Sequence, residues 1–421
     1  MESSNISTLA VIAAVAVCAP LLAELLRRFR IPGVVIEIGL GIIIGPQVLK
    51  LAQISDVVTA FSELGLTFLM FLAGYEINFG QIKGTPLNKA VGGWFISLVL
   101  AFAVGAVMVT AGFGLNTLIL GLALTSTALG TLLPMLRDSG TLETHFGGLV
   151  LAIGTVGEFG PIVAVALLLT GANPLGTSIL LVVFVVIAAS AALLAARAHQ
   201  PRFVSMLSKH LHSSAQLPVR ISVLLIVLLV WVASELGLDV LLGAFAAGIV
   251  VRLFSAGRDE EVIRVKLEAI GFGFLIPIFF IVSGMKFDLD ALTSDPATLL
   301  RLPIFLGLFL VVRGVPAFLL YRNEVPRKQL LPLALFSSTA LPLVVVITSI
   351  GLSTGRMLPA NAAALVGAGM LSVLLYPLIG FALLRRGASD TDLEAGTTPA
   401  NPATPATPAA PTTPTPAADG A

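Results

Sequence analysis

Two ionisable side chains lie far inside long apolar stretches of this chain. Glu158 is near the middle of an apolar run over 146–170, and Arg313 is equally central in another over 300–321. A charged side chain at such a depth costs at least about 2.5–3.5 kcal/mol on membrane-insertion scales, so each is a candidate for function. A carboxylate in a poorly solvated cavity can hold a proton or a cation, whereas a guanidinium stays charged.

The residues around Glu158 favour a binding site. They read TVGEFGP over 155–161, so glycines and Pro161 flank the acid. Proline removes one helical hydrogen bond and glycine permits close approach, which makes free carbonyls, Gly157 and the Thr155 hydroxyl candidate ligands. The alternative is that Glu158 and Arg313 only pair to hold two helices together. Stability alone explains such a pair poorly, because apolar replacements of buried pairs are often neutral or stabilising.

A short repeat gives a second signal. TSTAL at 125–129 and SSTAL at 337–341 each lie inside an apolar span, and Pro134 and Pro342 follow them. Interrupted helices at corresponding positions of two repeats mark the midplane site of many secondary transporters. The repeat hydroxyls are expected to cap half-helices, to bind a cation, or to join helices by hydrogen bonds. They belong to Thr125, Ser126, Thr127, Ser337, Ser338 and Thr339.

Composition limits the class of protein that can carry these residues. Of 421 residues, 57% are apolar and 11% are charged, against about a quarter charged in soluble domains. This excludes a water-soluble enzyme of this length. The net charge of +1 argues against a nucleic-acid partner, and the single cysteine, Cys18, excludes a disulfide framework.

Charged, Pro-rich and Gly-rich breaks divide the chain into thirteen apolar spans, which predicts an all-α membrane protein. The spans are 8–26, 31–50, 61–76, 90–111, 115–136, 146–170, 176–197, 219–236, 239–255, 267–285, 300–321, 330–351 and 359–384. The remainder, 387–421, is rich in Pro, Ala and Thr and is predicted to be a disordered cytoplasmic tail.

The distribution of Lys and Arg predicts the orientation. With the N-terminus outside, most of the 24 basic residues lie in cytoplasmic segments, as the positive-inside rule requires. The opposite side has Lys50, Lys286, Arg301 and Arg356. Acids close to span ends are expected to have structural roles; they are Glu37, Glu63, Glu76 and Glu235.

Five ordered segments resemble the monovalent cation:proton antiporter-2 family, which includes bacterial sodium/proton antiporters and Kef-type potassium efflux systems. The segments are IPGVVIEIGLGIIIGP (31–46), FSELGLTFLMFLAGYEIN (61–78), TSTALGTLLPML (125–136), LLGAFAAGIVVRLF (241–254) and IPIFFIVSGMKFDL (276–289). The resemblance covers about residues 8 to 386 and does not include the Kef C-terminal regulatory domain.

The resemblance implies an inverted-repeat fold of thirteen helices with two crossed, broken helices, in a homodimer. It also implies elevator-like movement of a core against a dimerisation scaffold. In this chain the membrane transport domain is then 1–386, with the core near 90–170 and 300–386, the scaffold near 8–76 and 219–285, and a linker helix over 176–197.

The resemblance also implies site residues. The family's acidic motif falls on Gly157 and Glu158, where electrogenic members have two aspartates and Kef-like members have Gln-Asp. Its basic partner falls on Arg313, and its broken helices fall on the two repeats. The implied function is exchange of Na⁺ or K⁺ for H⁺ at Glu158, assisted by the negative ends of half-helix dipoles. With one titrating acid, we expect electroneutral exchange, no enzymatic activity and no cofactor besides the transported ions.

Two alternatives stay open. The chain could be a gated, Kef-like potassium channel in which Glu158 sets the selectivity of a continuous pore. It could also be a non-transporting membrane sensor in which Glu158 and Arg313 have only a structural role. For all three functions, we expect a multi-pass protein of the bacterial plasma membrane.

Overall fold

The computed structural model describes residues 3–26, 31–77, 85–110, 116–168, 174–197, 216–255, 260–293 and 296–396. Over these ranges the chain is helical, without strands. In the same ranges, nine helices are long and apolar enough to cross a membrane, and four shorter apolar helices accompany them. Together they match the thirteen predicted spans one for one, so the all-α membrane class is confirmed.

The helices up to residue 197 are α1 (Ser3–Leu25), α2 (Gly33–Ile44), α3 (Asp56–Tyr75), α4 (Thr85–Thr110), α5 (Thr117–Leu124), α6 (Leu129–Asp138), α7 (His145–Leu168) and α8 (Pro174–Arg197). The later helices are α9 (Leu217–Glu235), α10 (Val240–Ser255), α11 (Glu260–Ile270), α12 (Ile276–Met285), α13 (Leu289–Thr293), α14 (Pro296–Phe309), α15 (Val315–Tyr321), α16 (Arg327–Ser337), α17 (Pro342–Ser353) and α18 (Pro359–Gly396).

Two of the spans contain a short π-helical segment. Gly271–Leu275 joins α11 to α12, and Leu310–Gly314 joins α14 to α15. The second segment includes Arg313, so this buried guanidinium lies where the helical turn is widened. Such segments are often found at functional sites.

The helices pack as two groups. The α3 bundle consists of α1–α3 and α9–α12, and the α7 bundle consists of α4–α7 and α14–α18. Helix α8 contacts both bundles, through α7 and α10. The bundles meet directly where α3 contacts α6, α7 contacts α10 and α2 contacts α18. The short helix α13, which the sequence did not predict, connects α12 to α14 and packs on α18.

The two predicted helix breaks are present. One separates α5 from α6 and the other separates α16 from α17. The backbone N–H of Ala128 donates to the carbonyl oxygen of Thr339 at 2.7 Å, so the two breaks meet inside the α7 bundle. This is the inverted-repeat fold with crossed, broken helices.

The predicted tail begins too early. Helix α18 continues to Gly396, so residues 387–396 are helical. This stretch contains no proline, the residue that stops a helix most strongly, so α18 can continue past Arg386. Residues 397–421 lie outside the described residues.

Glycines let the α2 and α12 backbones touch. A Cβ atom at Gly41 would lie 2.1 Å from the Ile281 carbonyl oxygen, and one at Gly284 would lie 2.1 Å from the Ile38 carbonyl oxygen. Neither acceptor can move away, since both are backbone atoms. Small residues at helix crossings produce this close packing in membranes.

Gly41→Ala is therefore expected to destabilise the protein, because overpacking typically costs about 1–3 kcal/mol. Gly39 is the matched control on the same helix, since a Cβ there meets nothing within 4 Å. Thermal unfolding in detergent should show a lower midpoint for Gly41→Ala and no loss for Gly39→Ala. Equal midpoints for the two variants would contradict the close α2–α12 contact.

Candidate functional site

Pro161 frees a carbonyl oxygen in the middle of α7. The helix continues through this proline, which has no N–H for the carbonyl four residues earlier, that of Gly157. The Gly157 oxygen instead accepts a hydrogen bond from the backbone N–H of Thr127 at 2.9 Å. The free carbonyl expected from the sequence therefore exists, and it ties α7 to the first helix break.

Arg313 is buried and bound by neutral oxygens. Its Nε donates to Thr127 Oγ1 at 3.0 Å, its Nη1 to Ser97 Oγ at 3.4 Å and its Nη2 to the Ile153 carbonyl oxygen at 3.3 Å. These acceptors come from the first break, α4 and α7. The guanidinium thus joins three elements of the α7 bundle at one point.

Gly157 makes room for this guanidinium. A Cβ at position 157 would lie 2.4 Å from Arg313 Nη2 and 2.5 Å from Thr127 Oγ1. Any larger residue must displace one of these side chains. Two-aspartate members of the family that this sequence resembles have their first acid at this position. In this chain the corresponding space contains the Arg313 guanidinium.

Glu158, in the middle of α7, is buried beside the N-terminal end of the half-helix α6. It is 2% exposed, and the backbone N–H of Gly130 lies close enough to its carboxylate to interact with it. Gly130 is the second residue of α6, so the carboxylate faces the positive end of that helix dipole. The C-terminal, negative ends of α5 and α16 lie at the same crossing.

The direct Glu158–Arg313 ion pair considered at the sequence level does not form. Among the described residues, the ion pairs within 4 Å include neither side chain. The reason is helical geometry: consecutive residues project about 100° apart, so Arg313 beside Gly157 and α6 beside Glu158 lie on different sides of α7.

The hydroxyls of the two repeats cap the half-helices that end at the breaks. Thr125 Oγ1 donates to the Leu122 carbonyl and Ser126 Oγ to the Ala123 carbonyl, both at 2.8 Å. Ser337, Ser338 and Thr339 donate in the same way to carbonyls of α16. Thr127 differs, since its hydroxyl donates across to the Ser337 carbonyl at 2.7 Å. Capping uses each hydroxyl proton and leaves lone pairs that can accept.

Thr155 has a buried hydroxyl about one helical turn before Glu158. Its Oγ1 is buried and has no hydrogen-bond partner among the described residues. Thr155 precedes Glu158 by three residues on α7, so the two side chains share a face. A buried hydroxyl without a hydrogen-bond partner, on the same helix face as a carboxylate, suits a cation or a water molecule.

Ser97 and Gly130 are site residues that sequence reasoning missed. Ser97 is completely buried and holds Arg313. Its one visible signal was a lone serine in the apolar span 90–111. Gly130 had no signal, because a backbone N–H is present at every non-proline residue and only the fold selects which one meets Glu158.

The four acids near span ends have different environments. Glu63 lines a cavity, Glu235 is exposed and accepts from Trp231 Nε1 at 3.1 Å, and Glu37 is partly buried on α2. Glu76 has a buried Oε2 without a hydrogen-bond partner among the described residues, and it lies within electrostatic range of Glu158. The structural role expected for Glu76 therefore needs testing beside a role near the site.

A cavity of about 1060 Å³ separates the two bundles at the end that carries Lys286. Polar residues of both bundles line it, and Glu158 is not among the lining residues. The polar lining residues are Ser62, Glu63, Thr67, Asp239, Ser283, Lys286, Asp288, Thr348, Ser349 and Ser353. The interface between the bundles is thus open at the Lys286 end, and the cavity stops before the buried carboxylate.

Gly157→Ala tests the packing around Arg313. The added methyl group must displace Arg313 or Thr127, so we expect a lower unfolding midpoint, corresponding to about 1–3 kcal/mol. Gly148→Ala on the same helix is the control, because a Cβ there meets nothing within 4 Å. An unfolding midpoint for Gly157→Ala as high as that of the control would show that Arg313 is not held in this space.

Two curated relatives are similar to this chain over most of its length. YjbQ of Bacillus subtilis (strain 168), which carries the name of a Na⁺/H⁺ antiporter, is 29% identical over 411 residues, covering 92% of this chain and 64% of the relative. This chain therefore spans slightly less than two thirds of that relative. The Na⁺/H⁺-K⁺ antiporter GerN of Bacillus cereus is 26% identical, over 70% of this chain and 75% of GerN.

The fold is also similar to solved structures. The sodium proton antiporter MjNhaP1 of Methanocaldococcus jannaschii at pH 8 superposes with a TM-score of 0.59 at 17% identity, covering 90% of this chain and 99% of that chain. Its electron-microscopy structure gives a TM-score of 0.65 over 95% of this chain. The family model described as sodium/hydrogen exchanger, transmembrane, matches residues 12–386. With nearly the whole helical region matched, the chain belongs to the sodium/hydrogen exchanger family.

Proposed function

We propose that this protein is a secondary active antiporter that exchanges a monovalent cation, Na⁺ or K⁺, for H⁺. The observation that carries the proposal is the buried Glu158 carboxylate at the crossing of two broken helices, beside the unpartnered Thr155 hydroxyl. The names of YjbQ and GerN support the same activity.

Proton and cation compete for one carboxylate in this mechanism. Hard cations prefer oxygen ligands, and Glu158 and Thr155 provide them, with lone pairs of Thr125 and Ser126 as further candidates. Either a proton or a cation neutralises the buried carboxylate, and each excludes the other. The bound species is thus exchanged without covalent chemistry, and the protein needs no cofactor.

The surroundings of Arg313 support electroneutral exchange. Arginine stays protonated in proteins, so Arg313 contributes a fixed charge and carries no proton across. The space beside Gly157 contains its guanidinium instead of a second acid. One carboxylate that exchanges one H⁺ for one monovalent cation moves no net charge in a cycle.

Access is proposed to alternate by movement of one bundle against the other. The α7 bundle contains the whole site and is the proposed mobile core, and the α3 bundle is the proposed dimerisation scaffold. The cavity between them gives access from the Lys286 end, which the distribution of basic residues places outside the cell. Glu158 does not line this cavity, which favours alternating access over a continuous pore.

Glu158→Gln is expected to abolish exchange while the protein still folds, because the amide has no charge for proton or cation to neutralise. Glu235→Gln is the matched control, since Glu235 is exposed at a helix end. The measurement is dequenching of a pH-gradient dye in proteoliposomes after addition of Na⁺, K⁺ or Li⁺ in turn. Near-normal cation-driven proton movement in Glu158→Gln would overturn the mechanism.

Exchange is expected to be independent of membrane potential. The potential is clamped at several values with K⁺ and valinomycin while Na⁺ or Li⁺ drives proton flux. Unchanged rates and end-points support one-for-one exchange, since no net charge crosses. An end-point that shifts with voltage would show that a second group titrates during the cycle, and Glu76 would be the first residue to test.

A further inference from the structure

An ion pair joins the two bundles at the end opposite the cavity. Arg137 Nη1 lies 3.6 Å from Glu268 Oε1. Arg137 is in the last turn of α6, in the α7 bundle, where a cation also interacts favourably with the helix dipole. Glu268 is on α11, in the α3 bundle. The pair therefore spans the interface across which the bundles are proposed to move.

The acceptor of this pair is fixed in the α3 bundle. Arg264 Nη1, one turn earlier on α11, donates to Glu268 Oε1 at 3.0 Å. Lys266 on the same helix donates to Gln216 Oε1 at 2.9 Å and so joins α11 to the start of α9. Arg137 thus meets a carboxylate whose position depends on the α3 bundle alone.

The interface between the bundles is open at one end and bridged by side chains at the other. A cavity separates the bundles at the Lys286 end, whereas side chains pair across them at the Arg137 end. We propose that the Arg137–Glu268 pair is a latch that stabilises the state closed at the Arg137 end. This inference rests on the proposed alternation of access, because a latch matters only if the bundles move.

The exposure of the pair sets the size of its effect. The side chains of Arg137 and Glu268 are 42% and 23% exposed, and partly exposed pairs change an equilibrium about 1.5- to 5-fold. An interaction present in one state and absent in the other shifts the two populations by its own free energy. The latch therefore biases the conformational equilibrium and still lets it turn over.

Two positions report on the two ends. Leu133 is 5% exposed and lies three residues after Gly130 and four before Arg137 on α6, so the three positions share a face. A Cβ at Gly130 would lie 3.7 Å from Leu69 of α3. Ser349 on α17 is exposed in the cavity at the Lys286 end. In a background with Cys18 replaced by Ala, Leu133→Cys and Ser349→Cys each provide a single thiol for a water-soluble maleimide.

The measurement is the ratio of labelling rates, Leu133→Cys over Ser349→Cys, in purified full-length protein. Arg137→Gln, Glu268→Gln and the double variant are each expected to raise this ratio about 1.5- to 5-fold. The double variant should equal a single variant, because residues that act as one pair are not additive.

Glu324→Gln is the control at the same end. Lys89 pairs with Glu324 inside the α7 bundle, and its hydrogen bond lowers the pKa of that carboxyl. Removing this pair leaves the bundle interface intact, so the ratio should stay at the wild-type value. Size-exclusion profiles exclude unfolding, and Arg137→Gln and Glu268→Gln test the pair independently if one variant does not fold.

Ratios for the latch variants that equal that of Glu324→Gln overturn the proposal, and so do effects of the single variants that add in the double variant. Labelling needs no ion gradient, so this result is separate from the proposed exchange. Absence of exchange in proteoliposomes with the wild-type protein would contradict the proposed antiporter function. A labelling ratio that the latch variants leave unchanged would contradict the proposed latch.

Discussion

Two helices that stop in the middle of a bilayer leave backbone groups that lipid cannot hydrogen-bond. This structure satisfies them by making the two breaks partners. The Ala128 N–H donates to Thr339, the Thr127 N–H donates to the carbonyl freed by Pro161, and the Thr127 hydroxyl donates to Ser337. Because the three bonds together need both breaks and α7 in place, the crossing forms as one unit. The site thus forms where these backbone groups find their hydrogen-bond partners.

The placement of charge follows from the same crossing. Arg313 reaches neutral oxygens of Thr127, Ser97 and Ile153 and so reinforces the crossing as a fixed cation. Glu158 meets the N-terminal end of α6 on another side of α7. The carboxylate is therefore left available to a ligand, which a direct pair with Arg313 would prevent. In the proposed exchange, this separation of the two charges lets the buried acid bind and release an ion.

The contacts within and between bundles differ in kind. Helices α2 and α12 touch backbone to backbone through Gly41 and Gly284, which permits little sliding. At the Arg137 end the bundles are joined by a partly exposed ion pair, and at the Lys286 end a cavity separates them. Movement of one bundle against the other, as proposed, requires contacts between the bundles that are easier to break than the contacts within each bundle.

The sequence by itself determined the thirteen spans, the two breaks and the depth of Glu158 and Arg313. Each depends on a cost that is local along the chain: apolar residues are required in lipid, and hydroxyls followed by proline interrupt a helix. The Gly157 carbonyl was also foreseeable, since proline always frees the oxygen four residues before it. The partner of that carbonyl was not, and neither were Ser97, Gly130 or the separation of Glu158 from Arg313. Those contacts join residues far apart in sequence, and the rotation of each helix about its axis, which only packing against neighbouring helices sets, decided them.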